Sequence, residues 1–270
     1  MRSLPAEGES AERVSVVIPA RNEARNLPYV LEALPPGLHE VILVDGHSDD
    51  ETIEVAQRVR PGIKVVRQAR RGKGNALASG FAEVTGDLIV MLDADGSADP
   101  SEIPAFVEAL ASGADFAKGT RFSKGGYSHD ITSIRRLGNA GLNGLVNRLF
   151  GTRYTDLCYG YNAFRVFLLP VLDLPPADSA GPRADAMRWG DGFEIEALIN
   201  IRVALAGARI AEVGSTEKTR LHGTSNLNAC SDGLRVLRTI LAERRRARRM
   251  ARAVVTDQVP SEGHLVGEPR

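Results

Sequence analysis

Apolar residues in this chain fall in short unbroken runs separated by polar turns, and the runs alternate with stretches of helical spacing. Val14–Ile18, closed by Pro19, is the first run; Val41–Val44 and Leu88–Leu92 repeat it, and Lys64–Val66 and Ala114–Lys118 are more polar versions. Runs without polar alternation suit strands buried on both faces, as in a parallel sheet. Between them Asn26–Leu34 has helical spacing, and Ser48-Asp49-Asp50-Glu51 starts a helix with Ile53, Ala56 and Val59 behind its polar first turn. Gly72-Lys73-Gly74 opens another over Ala76, Leu77 and Phe81, and Pro100 a fourth that runs to Leu110. This alternation predicts an α/β fold with a mostly parallel central sheet flanked by helices.

The second half predicts a helix over Ile134–Phe150, a strand over Tyr159–Phe167, a helix from Gly192 to Leu205 and a strand over Arg209–Val213. Gly138, Gly141 and Gly144 recur within the first helix; they allow either a close approach to a neighbour or only a weak, bent helix. Residues 175–188 read as a loop of the length typical of lids. At about 100° per residue, Glu194 shares a stripe with Ala197, Leu198, Ile201 and Leu205, and Glu196 falls nearly opposite. A carboxylate on an apolar stripe is costly unless paired or facing a polar cavity. Glu194 is therefore expected to point into a site, with Asp191 one turn earlier, unless an arginine pairs with it. The expected organisation is a disordered leader (1–12), one domain (13–228), a basic amphipathic helix (229–253) and a disordered tail (254–270).

Composition narrows the class. The 270 residues are 43% hydrophobic and 25% charged, as in a soluble globular protein. Net charge is zero, so no global field recruits nucleic acid. Cys158 and Cys230 are too few for a disulfide framework, the first residues lack the apolar core of a signal peptide, and no apolar run approaches the roughly 20 residues that span a bilayer. These features lead us to expect a cytoplasmic protein. Arg244, Arg245, Arg246, Arg248 and Arg249 follow the apolar positions Leu234, Leu237, Ile240 and Leu241. They fit peripheral contact with an anionic membrane at its inner face, or a solvated helix end.

Candidate chemistry sits at the ends of the predicted strands. Residues i and i+2 of extended backbone point the same way, so Asp93 and Asp95 can share one space beyond the sheet, where open α/β sheets bind ligands. Two carboxylates there suit a hard divalent ion, Mg²⁺ or Mn²⁺, completed by phosphates; the other reading is an Asp-rich turn. Arg21, Glu23 and Asp45 reach the same edge. Asp45 is either an acceptor for a nucleobase or the cap of the next helix. Lys73, between glycines at a helix start, can face a diphosphate, although the loop matches neither the Walker A pattern nor G-x-G-x-x-G.

Val14–Glu23, Val41–Asp50, Gly72-Lys73-Gly74 and Leu92–Asp95, extended by Gly119–Phe122, Tyr159–Phe164 and Gly192–Glu196, resemble family 2 glycosyltransferases of the GT-A fold, and within them the dolichyl- or polyprenyl-phosphate hexose synthases. The resemblance covers about residues 14 to 228. It implies inverting transfer of a hexose from a GDP- or UDP-sugar, with a divalent cation. Pro19, Ala20, Arg21, Glu23, Asp45, Lys73 and Ala94 would hold the nucleotide sugar, and Asp93 and Asp95 the metal. Arg121, Arg135 and Arg136 would meet an acceptor phosphate or the leaving diphosphate, with Arg135 alone read as a surface residue. Two positions depart from the family pattern: Ser97 stands where a glutamine is common, and Asn226 replaces the lysine of a late R-x-x-G-x-S-K motif. The acceptor is thus either polyprenyl phosphate or a small hydroxyl compound, for which Asp191 or Glu194 would be the general base. The alternative outside catalysis is a nucleotide-sugar-binding subunit of a membrane complex.

Overall fold

The computed structural model describes residues 12–123, 125–179, 187–224 and 229–257. In chain order the elements are β1 (Val14–Ala20), α1 (Leu27–Glu32), β2 (Glu40–Asp45), α2 (Thr52–Val59), β3 (Lys64–Arg67), α3 (Lys73–Phe81), β4 (Leu88–Met91), α4 (Ile103–Ala111), β5 (Phe116–Thr120), β6 (Tyr127–Ser128), α5 (Ser133–Phe150), β7 (Asn162–Arg165), α6 (Leu169–Leu172), α7 (Ile195–Leu205), β8 (Ile210–Gly214), β9 (Thr216–Glu217) and α8 (Ala229–Asp257). Seven strands form one sheet in the order β3-β2-β1-β4-β7-β5-β8, while β6 and β9 make a separate pair. The expected α/β architecture is present.

β1 lies parallel between β2 and β4, in register at Val16↔Val41 and Val16↔Val90. β7 is the exception: it runs antiparallel to both β4 and β5, with Ala163 opposite Val90 and Ala117. Its reversed direction has a consequence for the site. The residues that lead into β7, Tyr159-Gly160-Tyr161, lie at the carboxyl end of β4, beside the Asp93 turn.

Apolar cores cover both faces of the sheet. Val16, Ile18, Leu43 and Val90 pack with Leu31, Phe106 and Leu110 on one side. Val17, Ile42 and Ile89 pack with Leu77, Phe81, Phe164 and Ile199 on the other. A third cluster joins Val146 of α5, Ala197 and Ile201 of α7, and Val236 and Ile240 of α8. α8 is further held by the buried pair of Glu243 with Arg202, whose Nε and Nη2 donate at 3.1 and 2.8 Å. Its inward face is thus Val236, Thr239, Ile240 and Glu243, while Leu234 and Leu241 of the expected apolar stripe are exposed. Among the described residues no helix is long and apolar enough to cross a membrane.

The glycines of α5 do not serve close packing. A Cβ added at Gly138, Gly141 or Gly144 would meet nothing within 4 Å. The helix is held instead by a ladder of side chains: Asn139 Nδ2 donates to Asp156 (3.0 Å), Asn143 Nδ2 to the Thr155 carbonyl (2.6 Å) and Asn147 Nδ2 to the Tyr154 carbonyl (2.8 Å).

Candidate active site

A cavity of about 410 Å³ opens at the carboxyl ends of β1 and β4. Pro19, Ala20, Arg21, Glu23, Lys73, Asp93, Ala94, Asp95 and Arg121 all line it, so most of the residues singled out from strand ends converge. Gly46, Gln68, Ser97, Arg135, Tyr159, Gly160, Tyr161, Phe193, Glu196, Glu217 and Arg220 complete much of the wall.

The charges are ordered in pairs. Lys73 Nζ lies 2.7 Å from Asp93 Oδ1 and 2.7 Å from Glu196 Oε1. Burial opposes its charge, but the two carboxylates outweigh that, and its pKa is raised above the usual lysine range. Burial raises the Glu196 carboxyl against the pull of Lys73. Arg220 reaches Asp95 Oδ2 at 3.2 Å and also pairs with Glu23. Burial raises the Glu23 carboxyl despite its hydrogen bonds from Asn26 and Arg220. Arg220 is brought there by backbone contacts: Lys218 N donates to the Ser97 carbonyl at 2.7 Å, tying the segment after β9 to the Asp95 turn. Asp95 Oδ1 accepts from Ser97 N at 2.9 Å, which closes that turn.

Gly74 and Gly160 permit this arrangement. A Cβ on Gly74 would lie 1.7 Å from the Gly190 carbonyl oxygen, and one on Gly160 would lie 2.5 Å from Glu196 Oε1 and 2.8 Å from Lys73 Nζ. Gly74 N donates to the Asp191 carbonyl at 2.7 Å, so α3 abuts the segment that precedes α7.

Four expected site residues lie elsewhere. Asp191 is buried beneath this contact and receives Arg70 Nε and Nη2, each at 2.8 Å. Arg70 Nη1 also donates to the Pro176 and Ser179 carbonyls, at 2.9 and 2.8 Å, so the pair fastens residues 176–179. Glu194 precedes α7 instead of projecting from it; its Oε1 accepts from Gly190 N (3.1 Å) and Gly192 N (3.3 Å), and Arg235 lies 3.7 Å from Oε2. Neither acid lines the cavity. α7 is buried all round from Ile195 to Val203, so both its faces are interior, and the one carrying Glu196 meets the cavity. Asp45 is buried beside the cavity, where it accepts from Ser48 N at 3.2 Å and closes the turn after β2. Arg136 is exposed with its guanidinium 5.6 Å from the Phe122 ring, whereas Arg135, 3.4 Å from Asp130, lines the cavity.

Arg121 does face the cavity, but both its edges are occupied. Nε and Nη2 donate to Asp156 at 2.7 and 2.9 Å, Nη1 donates to Glu217 at 2.9 Å, and Tyr159 stacks on it at 4.8 Å. Its pKa is raised because Asp156 and Glu217 outweigh burial. Arg21 differs: it is exposed on the cavity wall without an ion-pair partner among the described residues. Glu196, Gly160 and Arg70 were missed in the sequence, where only the Tyr-Gly-Tyr and Phe-Glu-Ile-Glu strings marked two of them. Asn226 lies outside the described residues.

Asp93 and Asp95 offer oxygen ligands only, and the Asp93 side chain is 36% exposed to the cavity. That donor set fits a hard divalent ion. Among the described residues no group of three His, Cys, Asp or Glu side chains forms a metal cage, so such an ion would draw its other ligands from phosphate and water.

Residues 15–172 match the family model described as glycosyl transferase family 2. The chain belongs to this family. It is 31% identical over 225 residues to the dolichol-phosphate mannosyltransferase of Pyrococcus furiosus, covering 80% of this chain and 59% of that protein. It is equally identical over 225 residues to the undecaprenyl-phosphate mannosyltransferase of Micrococcus luteus, covering 80% of this chain and 88% of that one. The fold matches glucosyl-3-phosphoglycerate synthase of Mycobacterium tuberculosis, crystallised with Mn²⁺, uridine diphosphate and phosphoglyceric acid. The TM-score is 0.67 at 22% identity, covering 94% of this chain and 82% of that one. The family 2 glycosyltransferase is therefore built on a GT-A fold with its crevice at the carboxyl ends of β1 and β4.

Proposed function

We propose that this family 2 glycosyltransferase moves a hexose, with inversion, from a nucleoside diphosphate sugar to a polyprenyl phosphate. The observation that supports this reading is the pairing of the cavity's acids. Glu23, Asp93, Asp95, Asp130, Glu196 and Glu217 each have a cationic partner, while Arg21 lacks one. A site of that kind favours a nucleophile that arrives already ionised. A phosphate monoester does so at neutral pH and needs no general base. The names of the Pyrococcus and Micrococcus relatives point to the same acceptor class.

In the reaction, an acceptor phosphate oxygen attacks the anomeric carbon as the bond from that carbon to the donor's β-phosphate oxygen breaks, and the nucleoside diphosphate leaves. Pro19, Ala20 and Glu23 border the nucleoside, and Arg21 and Arg135 orient the acceptor phosphate by charge-assisted hydrogen bonds. Lys73 keeps its proton and faces the diphosphate from the start of α3. Asp93 and Asp95 would hold a divalent ion, which when bound would supply a Lewis acid for the charge that develops on the leaving group. Glu196 keeps Lys73 in place.

A hydroxyl acceptor is the second reading, and one observation favours it: Glu196 lines the cavity with a carboxyl in reach of an incoming hydroxyl, the position of a general base. Radiolabelled transfer from GDP- and UDP-hexoses to polyprenyl phosphate and to a hydroxyl acceptor, for wild type and Glu196→Gln, separates the two. On the phosphate reading the lipid phosphate is labelled and the hydroxyl compound is not. Transfer to a hydroxyl that falls about 10²–10⁴-fold in Glu196→Gln would favour the second.

A further inference from the structure

A second hollow of about 450 Å³ shares no wall residue with the donor cavity. It is formed by Trp189, Arg202, Ala242, Glu243 and, from the last turns of α8, Arg245, Arg246, Arg249 and Met250. Two of its arginines are neutralised. Arg202 is paired with Glu243, and Arg246 lies 2.7 Å from Asp173 and 3.4 Å from Glu243. Arg245 and Arg249, one turn apart on the same helix, have no ion-pair partner among the described residues. No acidic residue follows in the sequence until Asp257. In a chain of zero net charge, that leaves a local excess of positive charge.

Beside these cations stand exposed apolar groups: Trp189 is 44% exposed and Met250 56%. The lone tryptophan is thus at the surface, although such a residue is more often in a core. An inorganic anion would neutralise the arginines but leave the indole and the thioether in water. A bilayer surface meets both needs: lipid phosphates for the guanidinium groups, and the headgroup–acyl boundary for an amphipathic indole. We propose that the groove between Trp189 and the end of α8 docks the protein on an anionic lipid surface, with Arg245 and Arg249 binding headgroup phosphates and Trp189 entering the interface. The inference does not depend on the reaction assigned to the donor cavity.

Trp189 is the only tryptophan of the chain, so its emission reports this groove alone. Full-length protein is mixed with phosphatidylglycerol vesicles, with phosphatidylcholine vesicles and with inorganic phosphate, and read by fluorescence and cosedimentation. Phosphatidylglycerol should shift the emission to the blue and carry the protein down, less so at high salt; the other two should do neither. Replacing both arginines, Arg245→Gln with Arg249→Gln, should weaken vesicle binding about 30-fold, since each cation near an anionic surface is worth about five-fold. An unchanged thermal melt would show that this variant is folded. Trp189→Phe should still cosediment, more weakly. Cosedimentation without an emission shift would place docking elsewhere on the protein and overturn the proposal. So would equal binding to neutral vesicles, an emission shift with inorganic phosphate alone, or full binding by the double variant.

Discussion

Asp95 illustrates how single residues carry the account. It closes its own turn through Ser97, it meets Arg220, and it lines the cavity at the carboxyl ends of β1 and β4 beside Asp93. If the two aspartates share an ion with the donor, UDP or GDP binds more tightly in Mn²⁺ than in chelator, and Asp95→Asn removes that difference without unfolding the protein. Calorimetric titration in both buffers checks this; equal affinities in wild type would refute the metal assignment. Lys118 makes a separate prediction. It is fully buried, it donates to the Gly119 and Tyr159 carbonyls at 2.7 and 2.8 Å, and burial pulls its pKa down from 10.5 to about 8. A neutral amine still satisfies both carbonyls. Because the unfolded chain holds this proton to higher pH, the group's contribution to stability is flat below about pH 8 and rises toward the ordinary lysine range. Urea denaturation from about pH 7 to about pH 10 should show the rise in wild type, and Lys118→Met should lose it. Residues at strand ends were legible because a short strand aims the side chains that follow it into one crevice: Arg21, Asp93 and Asp95 all reached it, and Lys73 joined them from the start of α3. Asp191 and Glu194 did not, because a carboxylate among apolar residues is costly in any interior. Nothing in their spacing distinguished a buried pair with Arg70, or backbone donors, from a cavity. Asp191→Ala should accordingly cost about 3–5 kcal/mol of stability, the range for leaving a buried charge such as Arg70 unpaired, as equilibrium denaturation would reveal. A stable variant with impaired turnover alone would restore Asp191 to the chemistry.

At the level of elements, two helices with glycines behave oppositely. α3 begins against the Gly190–Asp191 backbone, and a methyl group at Gly74 would have to displace main chain. α5 turns its glycines outward. Gly74→Ala should therefore destabilise the protein and weaken nucleotide binding, whereas Gly141→Ala should stabilise it by up to about 1 kcal/mol through helix propensity. Thermal melts of both variants suffice; a stabilised Gly74→Ala would show that α3 and the 190–191 segment are not tightly joined. The parallel strands announced themselves as unbroken apolar runs, and α5 by its spacing. The direction of β7 left no such mark, since a strand buried on both faces has the same composition whichever way it runs. Yet that reversal is what brings Tyr159 and Gly160 to the aspartates. The apolar stripe of α8 divides between the two sides: Ile240 is in the core while Leu234 and Leu241 are exposed, and the inward face takes in Thr239 and Glu243, the latter through its pair with Arg202, so polarity alone did not mark which side faces in.

Across the whole molecule the donor cavity at the sheet edge and the arginine groove on α8 are separate surfaces. The first concentrates paired charge, and the second leaves positive charge unpaired beside exposed apolar groups. A family 2 enzyme so arranged suits a reaction in which one substrate is a water-soluble nucleotide and the other a lipid bearing its own phosphate. The central claim is that this phosphate is the nucleophile. The most direct measurement offers the purified enzyme GDP- or UDP-hexose with Mn²⁺ and a pair of lipids of equal chain length, the polyprenyl phosphate and the free polyprenol. The expected product is a hexosyl phosphoryl lipid from the first, abolished by chelator, and none from the second. Glycosylation of the free alcohol at a rate equal to or above that of the phosphate would contradict it.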